Sequence, residues 1–243
     1  LSAAIWVGFS KMRGLAFDGQ CKSFDARADG FARGEGLGAV YVQPEADASD
    51  RALVMLCGVS TNHDGRAATI TAPNGTAQQR VLRSALAERG TEAEDVTCLE
   101  CHGTGTALGD PIEVGAQKAV YGKGRSSGQP LILAAVKSNL GHLEGSAGVA
   151  GVSKVILTMQ RRQMPPNLWL EKLNPNIDLG GFDVLMPDKL MDWTAAAHRS
   201  GISSFGFSGT NGHAIMEAPP TSDEPPAERA QASYKRKVLK PWR

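Results

Sequence analysis

The chain has 243 residues, 26 Lys+Arg against 25 Asp+Glu for a net charge of +1, and only 4 Cys. A near-neutral balance gives no footing for a nucleic-acid or membrane-surface binder, and so few cysteines do not make a disulfide scaffold. With 42% hydrophobic and 21% charged residues the composition is globular rather than disordered, and its one excess is glycine, 28 residues, which suits tight turns and close backbone approaches.

No stretch approaches the ~18 uninterrupted apolar residues that cross a bilayer. The opening LSAAIWVGFSKMRG lacks the basic start and long apolar centre of a secretory signal. These features, with Leu rather than Met at position 1, read as a piece of a longer or processed polypeptide in the cytoplasm.

In chain order, residues 38–44 (GAVYVQP) and 52–60 (ALVMLCGVS) read as strands separated by the acidic turn EADASD. From Ala77 to Arg89, apolar pairs Val81–Leu82 and Ala85–Leu86 recur four residues apart, an amphipathic helix stopped by Gly90. Residues 96–101 (VTCLEC) form a short strand. Asp110 reads as the N-cap of the next helix, with Pro111 at its first position and Glu113 completing a capping box. A buried-type strand, 131–136 (LILAAV), is followed by a helix from about Ser146 to Arg162 whose first half is built of small residues. Two final strands join at a glycine-rich turn around 206–209. Alternating strands and helices give the α/β class. After Ala218 the chain becomes Pro-rich and then basic, a linker and tail by composition. The organisation is therefore a body over 1–219 and a tail over 220–243.

Three motif matches are set aside on context. Cys98-Leu-Glu-Cys101-His102 fits the C-x-x-C-H haem pattern, but within a strand Cys98 and Cys101 point to opposite faces. No second pair completes a zinc set, so no metal is expected. Gly34-Glu-Gly36-Leu-Gly38-Ala39 loosely fits a dinucleotide fingerprint, but a helix N-terminus must follow such a loop to hold pyrophosphate, and a strand pattern follows here.

Chemistry gathers at three glycine-rich turns, each at a strand end: His102-Gly103-Thr104-Gly105-Thr106, Lys137-Ser138-Asn139-Leu140-Gly141-His142 and Phe205 to His213. Such ends are where α/β proteins carry ligand and catalytic groups. Two histidines in separate turns of this kind, one turn opened by a lysine, make the candidate constellation.

The run E-C-H-G-T-G-T-A-L-G-D-P-I-E resembles the first-histidine motif of β-ketoacyl synthases, especially the ketosynthase domains of type I polyketide synthases. K-S-N-L-G-H-L-E-G-S-A-G resembles their second-histidine motif and G-F-S-G-T-N their C-terminal glycine loop, while F-D-A-R-A-D-G-F-A-R-G-E-G-L-G is similar to the segment preceding both. The resemblance runs from Leu1 to about Pro219. It implies a thiolase-like fold, a mixed sheet flanked by helices, and decarboxylative Claisen condensation of a malonyl-carrier protein with an acyl thioester in polyketide or fatty acid synthesis. It implies His102 and His142 as the two histidines, Lys137 as the lysine that orients the second, and Phe207 as a donor of an oxyanion-hole N–H. Thr104, Thr106 and Asn211 then line the phosphopantetheine path. No covalently bound cofactor is implied, since substrates arrive on the phosphopantetheine of acyl carrier protein. The implied partners are that carrier, the N-terminal half of the ketosynthase and a second copy forming a homodimer.

One departure is large. The family's nucleophile lies in a T-A-C-S-S motif upstream of the first histidine, and none of Cys21, Cys57, Cys98 or Cys101 has that setting. The chain therefore reads as the C-terminal half of a ketosynthase whose nucleophile lies elsewhere. The alternative is a non-catalytic, ketosynthase-like scaffold or chain-length-setting subunit that binds carrier protein. Either way the helix GSAGVAGVSKVILTM, with its stripe Val152, Val155, Ile156 and Met159, is expected to need a partner to bury it.

Overall fold

The computed structural model describes residues 3–45, 52–65, 72–125, 128–195 and 197–219. The tail expected over 220–243 lies outside these, as does nearly all of the acidic turn at 45–50. The described residues form helix α1 (Ala3–Lys11), strand β1 (Met55–His63), α2 (Gly75–Ala87), β2 (Cys98–Glu100), α3 (Gly109–Tyr121), β3 (Leu131–Ala134), α4 (Lys137–Leu140) and α5 (Ala147–Arg161). Short strands β4 (Gln163–Met164), β5 (Val184–Leu185) and β6 (Met191–Asp192) precede the hairpin β7 (Arg199–Phe205) and β8 (Thr210–Glu217). Six strands make one mixed sheet in the order β1-β8-β7-β2-β3-β5, and β4 pairs with β6. Strand β2 lies parallel to both β3 and β7, whereas β8 is antiparallel to β1 and β7.

Side-chain alternation sorts the central strands onto two cores. Leu99, Cys101, Leu131, Leu133 and Ile215 face α2 and α3, packing on Leu82, Ala85, Val114 and Tyr121. Cys98, Ile132, Ala134, Ile202 and Met216 face α5, packing on Val155 and Met159. Helices therefore cover both faces of the sheet. Cys98 and Cys101 do fall into opposite cores, as their spacing requires. A buried relay ties α3 to the hairpin: the His213 ring meets the Tyr121 hydroxyl at 2.9 Å and the Ser203 hydroxyl at 3.0 Å.

Several boundaries differ from the sequence reading, each for a physical reason. The first strand begins at Met55 rather than Ala52, where pairing with Glu217 starts. The helix after it begins at Gly75, because the Asn74 side chain caps it by accepting from the Thr76 and Ala77 N–H groups. Asp110 is not an N-cap. Helix α3 starts at Gly109, whose N–H donates to the Thr106 hydroxyl, and the Asp110 carboxylate turns inward. Residues 38–44 form no strand: they have no ladder partner among the described residues. Gly34, Gly36 and Gly38 instead lie against Leu143 and Val149, where a Cβ at any of the three would collide. The dinucleotide pattern is thus steric in origin.

Helix α5 also corrects an expectation. Its stripe already packs on the chain's own sheet, with Val155 and Met159 buried and Val152 and Ile156 partly so. On α5 itself Leu157 is exposed, and longer exposed apolar runs lie at Ile5, Val7, Met12 and Phe17 and at Leu37, Val40, Tyr41 and Val42. The run at 37–42 is rich in β-branched and aromatic residues, and an exposed apolar run of this kind is a template for intermolecular pairing. Residues 1–243 expressed alone are therefore expected to self-associate. Light scattering should show mass rising with concentration, and Val40→Lys should reduce it. A monomer at all concentrations would refute the expectation.

Asp25 anchors the N-terminal segment. Its buried carboxylate accepts from the Glu171 N–H at 2.7 Å, the Lys172 N–H at 2.9 Å, and both the N–H and Nε of Arg27 at 2.8 Å. Backbone bonds Ala26 N–H to Lys172 O and Asn174 N–H to Phe24 O flank it.

Candidate active site

The parallel arrangement of β2 and β3 delivers the first two glycine-rich turns to one end of the sheet, and the β7–β8 turn closes beside them. The His102 and His142 rings meet there edge to face, their centroids 5.6 Å apart. That is within the ~10 Å allowed for two groups sharing one substrate atom. Phe205 packs on His102 at 5.6 Å and Phe31 on His142 at 5.1 Å.

Backbone donors fix the tautomer of both rings. The Phe205 N–H donates to His102 Nδ1 at 3.2 Å, and the Glu144 N–H donates to His142 Nδ1 at 2.9 Å. An Nδ1 that accepts carries no proton, so each neutral ring bears its N–H at Nε2. Burial, the Lys137 ammonium and the neighbouring His142 hold His102 well below the usual histidine range. Burial, with Lys137 and Arg33, brings His142 down to about 3. Both rings are neutral near pH 7.

Backbone geometry at the first turn explains its glycines. Gly103 and Gly105 have φ of +45° and +75°, and a Cβ would stand 2.6 Å from the Ala135 side chain at the first and 2.7 Å from the Lys22 N at the second. The amides exposed by this turn are met by carboxylates of α3. Glu113 accepts from the His102 and Gly103 N–H groups at 2.7 and 2.8 Å. Asp110 accepts from Phe24 at 2.7 Å and Gly105 at 3.2 Å. Burial raises Asp110 to about 6 and Glu113 to about 7.

Lys137 opens α4 and is 3% exposed. Burial pulls its ammonium down, opposed by Glu100, Glu113, Cys21 and Asp110 nearby. Glu100, the residue two before His102, is itself buried: one oxygen accepts from the Val136 N–H at 2.6 Å and the other meets the Lys154 ammonium at 2.7 Å.

The remaining expected residues fall around this centre. Thr104 is buried with its hydroxyl 3.2 Å from that of Thr106. Phe207 is half-exposed at the β7–β8 turn and packs on Phe9 of α1, 5.5 Å between centroids. Asn211 is 1% exposed, and its amide donates to Asn62 at 3.0 Å and Asp64 at 2.7 Å, which places it as a brace of the turn. The sequence reading missed Glu100, Asp110, Glu113 and Arg33. Asp110 and Glu113 carried a signal, because charged residues sat on the same helical face as Val114, Gln117 and Tyr121.

No thiol here is activated. Burial raises Cys21, Cys57 and Cys101, and lifts Cys98 to about 12. Cys101 takes a hydrogen bond from the Gln117 amide in the core rather than facing the histidines.

Comparison with known proteins accounts for nearly the whole chain. The family described as "Beta-ketoacyl synthase, C-terminal domain" matches residues 53–171, its N-terminal domain matches residues 1–48, and the "Ketoacyl-synthetase C-terminal extension" matches 174–240. Residues 1–48 therefore correspond to the N-terminal domain rather than to a C-terminal half. The chain is 46% identical over 222 residues to a phenolphthiocerol/phthiocerol polyketide synthase of Mycobacterium tuberculosis, covering 89% of this chain and 12% of that protein. It is 47% identical over 226 residues to the erythronolide synthase EryA2 of Saccharopolyspora erythraea, covering 90% of this chain and 6% of that protein. The ketosynthase from module 6 of the bacillaene synthase of Bacillus subtilis 168 superposes with a TM-score of 0.85 at 35% identity, over 90% of this chain and 41% of that one. An oxazolomycin ketosynthase domain, OzmH KS7 of Streptomyces albus JA3453, gives 0.85 at 33%, over 92% of this chain and 41% of that one. The chain thus spans a small fraction of these synthases and about two-fifths of a solved ketosynthase domain. With this fold, two neutral histidines on adjoining turns and family matches along the sequence, the chain belongs to the β-ketoacyl synthases, as ketosynthase sequence of the modular polyketide synthase type.

Proposed function

We propose that this chain supplies the malonyl-activating machinery of a ketosynthase that condenses a malonyl thioester with an acyl thioester. The observation that carries the reading is the pair of Nε2–H donors on adjoining imidazoles. Donors fixed in place before reaction stabilise charge that develops on a thioester oxygen without reorganising. As the malonyl thioester loses CO₂, the electron pair of the breaking C–C bond becomes an enolate whose oxygen takes both hydrogen bonds. The enolate carbon then attacks the acyl carbonyl, and the thiolate that held the acyl group leaves.

Burial, with Lys137 beside them, keeps both rings neutral, and the N–H of Phe207 polarises the acyl carbonyl. Thr104 and Thr106 flank the approach of the phosphopantetheine arm, with Asn211 bracing the loop opposite. Substrates come on acyl carrier protein, and the working unit is a cytoplasmic homodimer of complete ketosynthases. Residues 1–219 act as the condensing portion and 220–243 as the connection beyond it. No helix among the described residues is long and apolar enough to cross a membrane.

The acyl-bearing thiolate belongs to another segment of the protein, since all four thiols here are shifted toward the neutral form, the opposite of what a nucleophilic cysteine needs. Peptide mapping of the full-length protein after incubation with an acyl thioester tests this. The acyl mass is expected on no peptide containing Cys21, Cys57, Cys98 or Cys101. An adduct on one of them, lost together with condensation when that cysteine becomes alanine, would overturn the assignment.

A further inference from the structure

His142 is held by contacts that the condensation chemistry does not itself require. Segment 32–34 runs beside it as a parallel bridge, with the His142 N–H donating to Ala32 O at 2.7 Å and the Gly34 N–H donating to His142 O at 2.9 Å. Two residues beyond, Glu144 adopts φ of +53°, a left-handed conformation rare outside glycine. This twist brings the Glu144 N–H onto His142 Nδ1 and turns the carboxylate back to Arg33, 2.6 Å away. The Arg33 side chain is fully buried and none of its three nitrogens makes a hydrogen bond, so the approach of Nη2 to the Glu144 carboxylate is an ion pair alone. Its guanidinium lies instead over the rings of Trp6 at 4.9 Å and Phe9 at 5.7 Å, both on α1.

We propose that Arg33 and Glu144 are a positioning pair for His142: Glu144 fixes the ring as the Nε2–H tautomer, and Arg33 neutralises the carboxylate that would otherwise draw a second proton onto it. The proposal rests on the reading of His142 as a neutral donor to the enolate. An imidazolium in that place would pass a proton to the enolate carbon. The malonyl thioester would then end as CO₂ and acetyl thioester, and no C–C bond would form.

The groups facing His142 are few. His102 faces it from the turn after β2, Lys137 from α4, and Cys21 with Arg33 from the N-terminal segment. Lys137 and Arg33 disfavour the imidazolium. Glu144 favours it once Arg33 is gone. Protonation also costs the bond from the Glu144 N–H, because Nδ1 can no longer accept.

The test uses the full-length protein with acyl and malonyl thioesters and reads the ratio of acetyl thioester to β-ketoacyl thioester from pH 8 to pH 6. A ratio does not depend on the folded fraction. Arg33→Gln is expected to raise it by ~10-fold across that range, and Arg33→Met, a second uncharged variant, should do the same. The wild type, Arg33→Lys and the double variant Arg33→Gln/Glu144→Gln should stay flat, since each leaves Glu144 either paired or uncharged. A flat ratio in both uncharged variants, or an equal rise in the double variant, would overturn the pair. His142→Ala separates the two readings. If that variant leaves both products unchanged, the underlying role of His142 falls, whereas a response there with flat Arg33 variants removes only the positioning pair.

Discussion

Replacing His102 with alanine in the full-length protein is expected to slow release of CO₂ from a malonyl thioester by ~10²–10³-fold, the usual cost of one preorganised donor at a developing oxyanion. His142, held 5.6 Å away between ring centroids, cannot cover both positions on the oxygen. Acyl loading should be unaffected, because it uses a thiolate rather than this N–H. Burial and Lys137 hold His102 below its ordinary range, so its neutral form persists as pH falls from 8 to 6. The wild-type rate should therefore show no loss from this ring in that window. Radiolabelled CO₂ release measures the first effect and mass mapping of the acyl adduct the second. Loss of both together would mean that His102 acts in loading.

A second large effect is expected in stability. Asp25→Ala removes the buried carboxylate that accepts from Arg27, Glu171 and Lys172, and losing these bonds to a charged acceptor should cost about 2–3 kcal/mol. Burial by itself would raise Asp25, but the Arg27 side chain and the three backbone N–H groups outweigh it and hold the carboxyl well below the usual range. A depressed carboxylate contributes stability that is present above its unfolded value and lost as pH falls through the folded one. The gap between wild type and variant should thus be full at pH 7 and narrow below about pH 4. Denaturant unfolding at the two pH values measures it. An unchanged midpoint at pH 7 would show that the anchor contributes nothing.

Elements whose partners sit on both sides were legible in sequence. The runs at 96–101, 131–136 and 199–217 read as strands because their alternation or apolarity matches a sheet covered on both faces, and the structure pairs all of them. Residues 38–44 carry the same β-branched pattern and form no strand, since a strand is completed by a ladder partner that local composition does not encode. The error at Asp110 has a related cause. A carboxylate at a helix start commonly caps its own helix, but here amides of the 22–24 and 102–105 segments needed acceptors more. The candidate histidines were legible because glycines at strand ends marked their turns. Their tautomers were not, because both are set by backbone N–H groups, from Phe205 and Glu144, that residue type does not reveal.

Glu100 joins three parts of the chain that are distant in sequence: its own strand leading to His102, the Val136 amide ahead of Lys137, and Lys154 in α5. A carboxylate buried to this degree cannot lose one partner and keep the others without stranding a charge away from water. Local opening of the first-histidine turn therefore carries the lysine turn and the helix with it. The segments that present the two histidines are thereby expected to open together rather than one at a time.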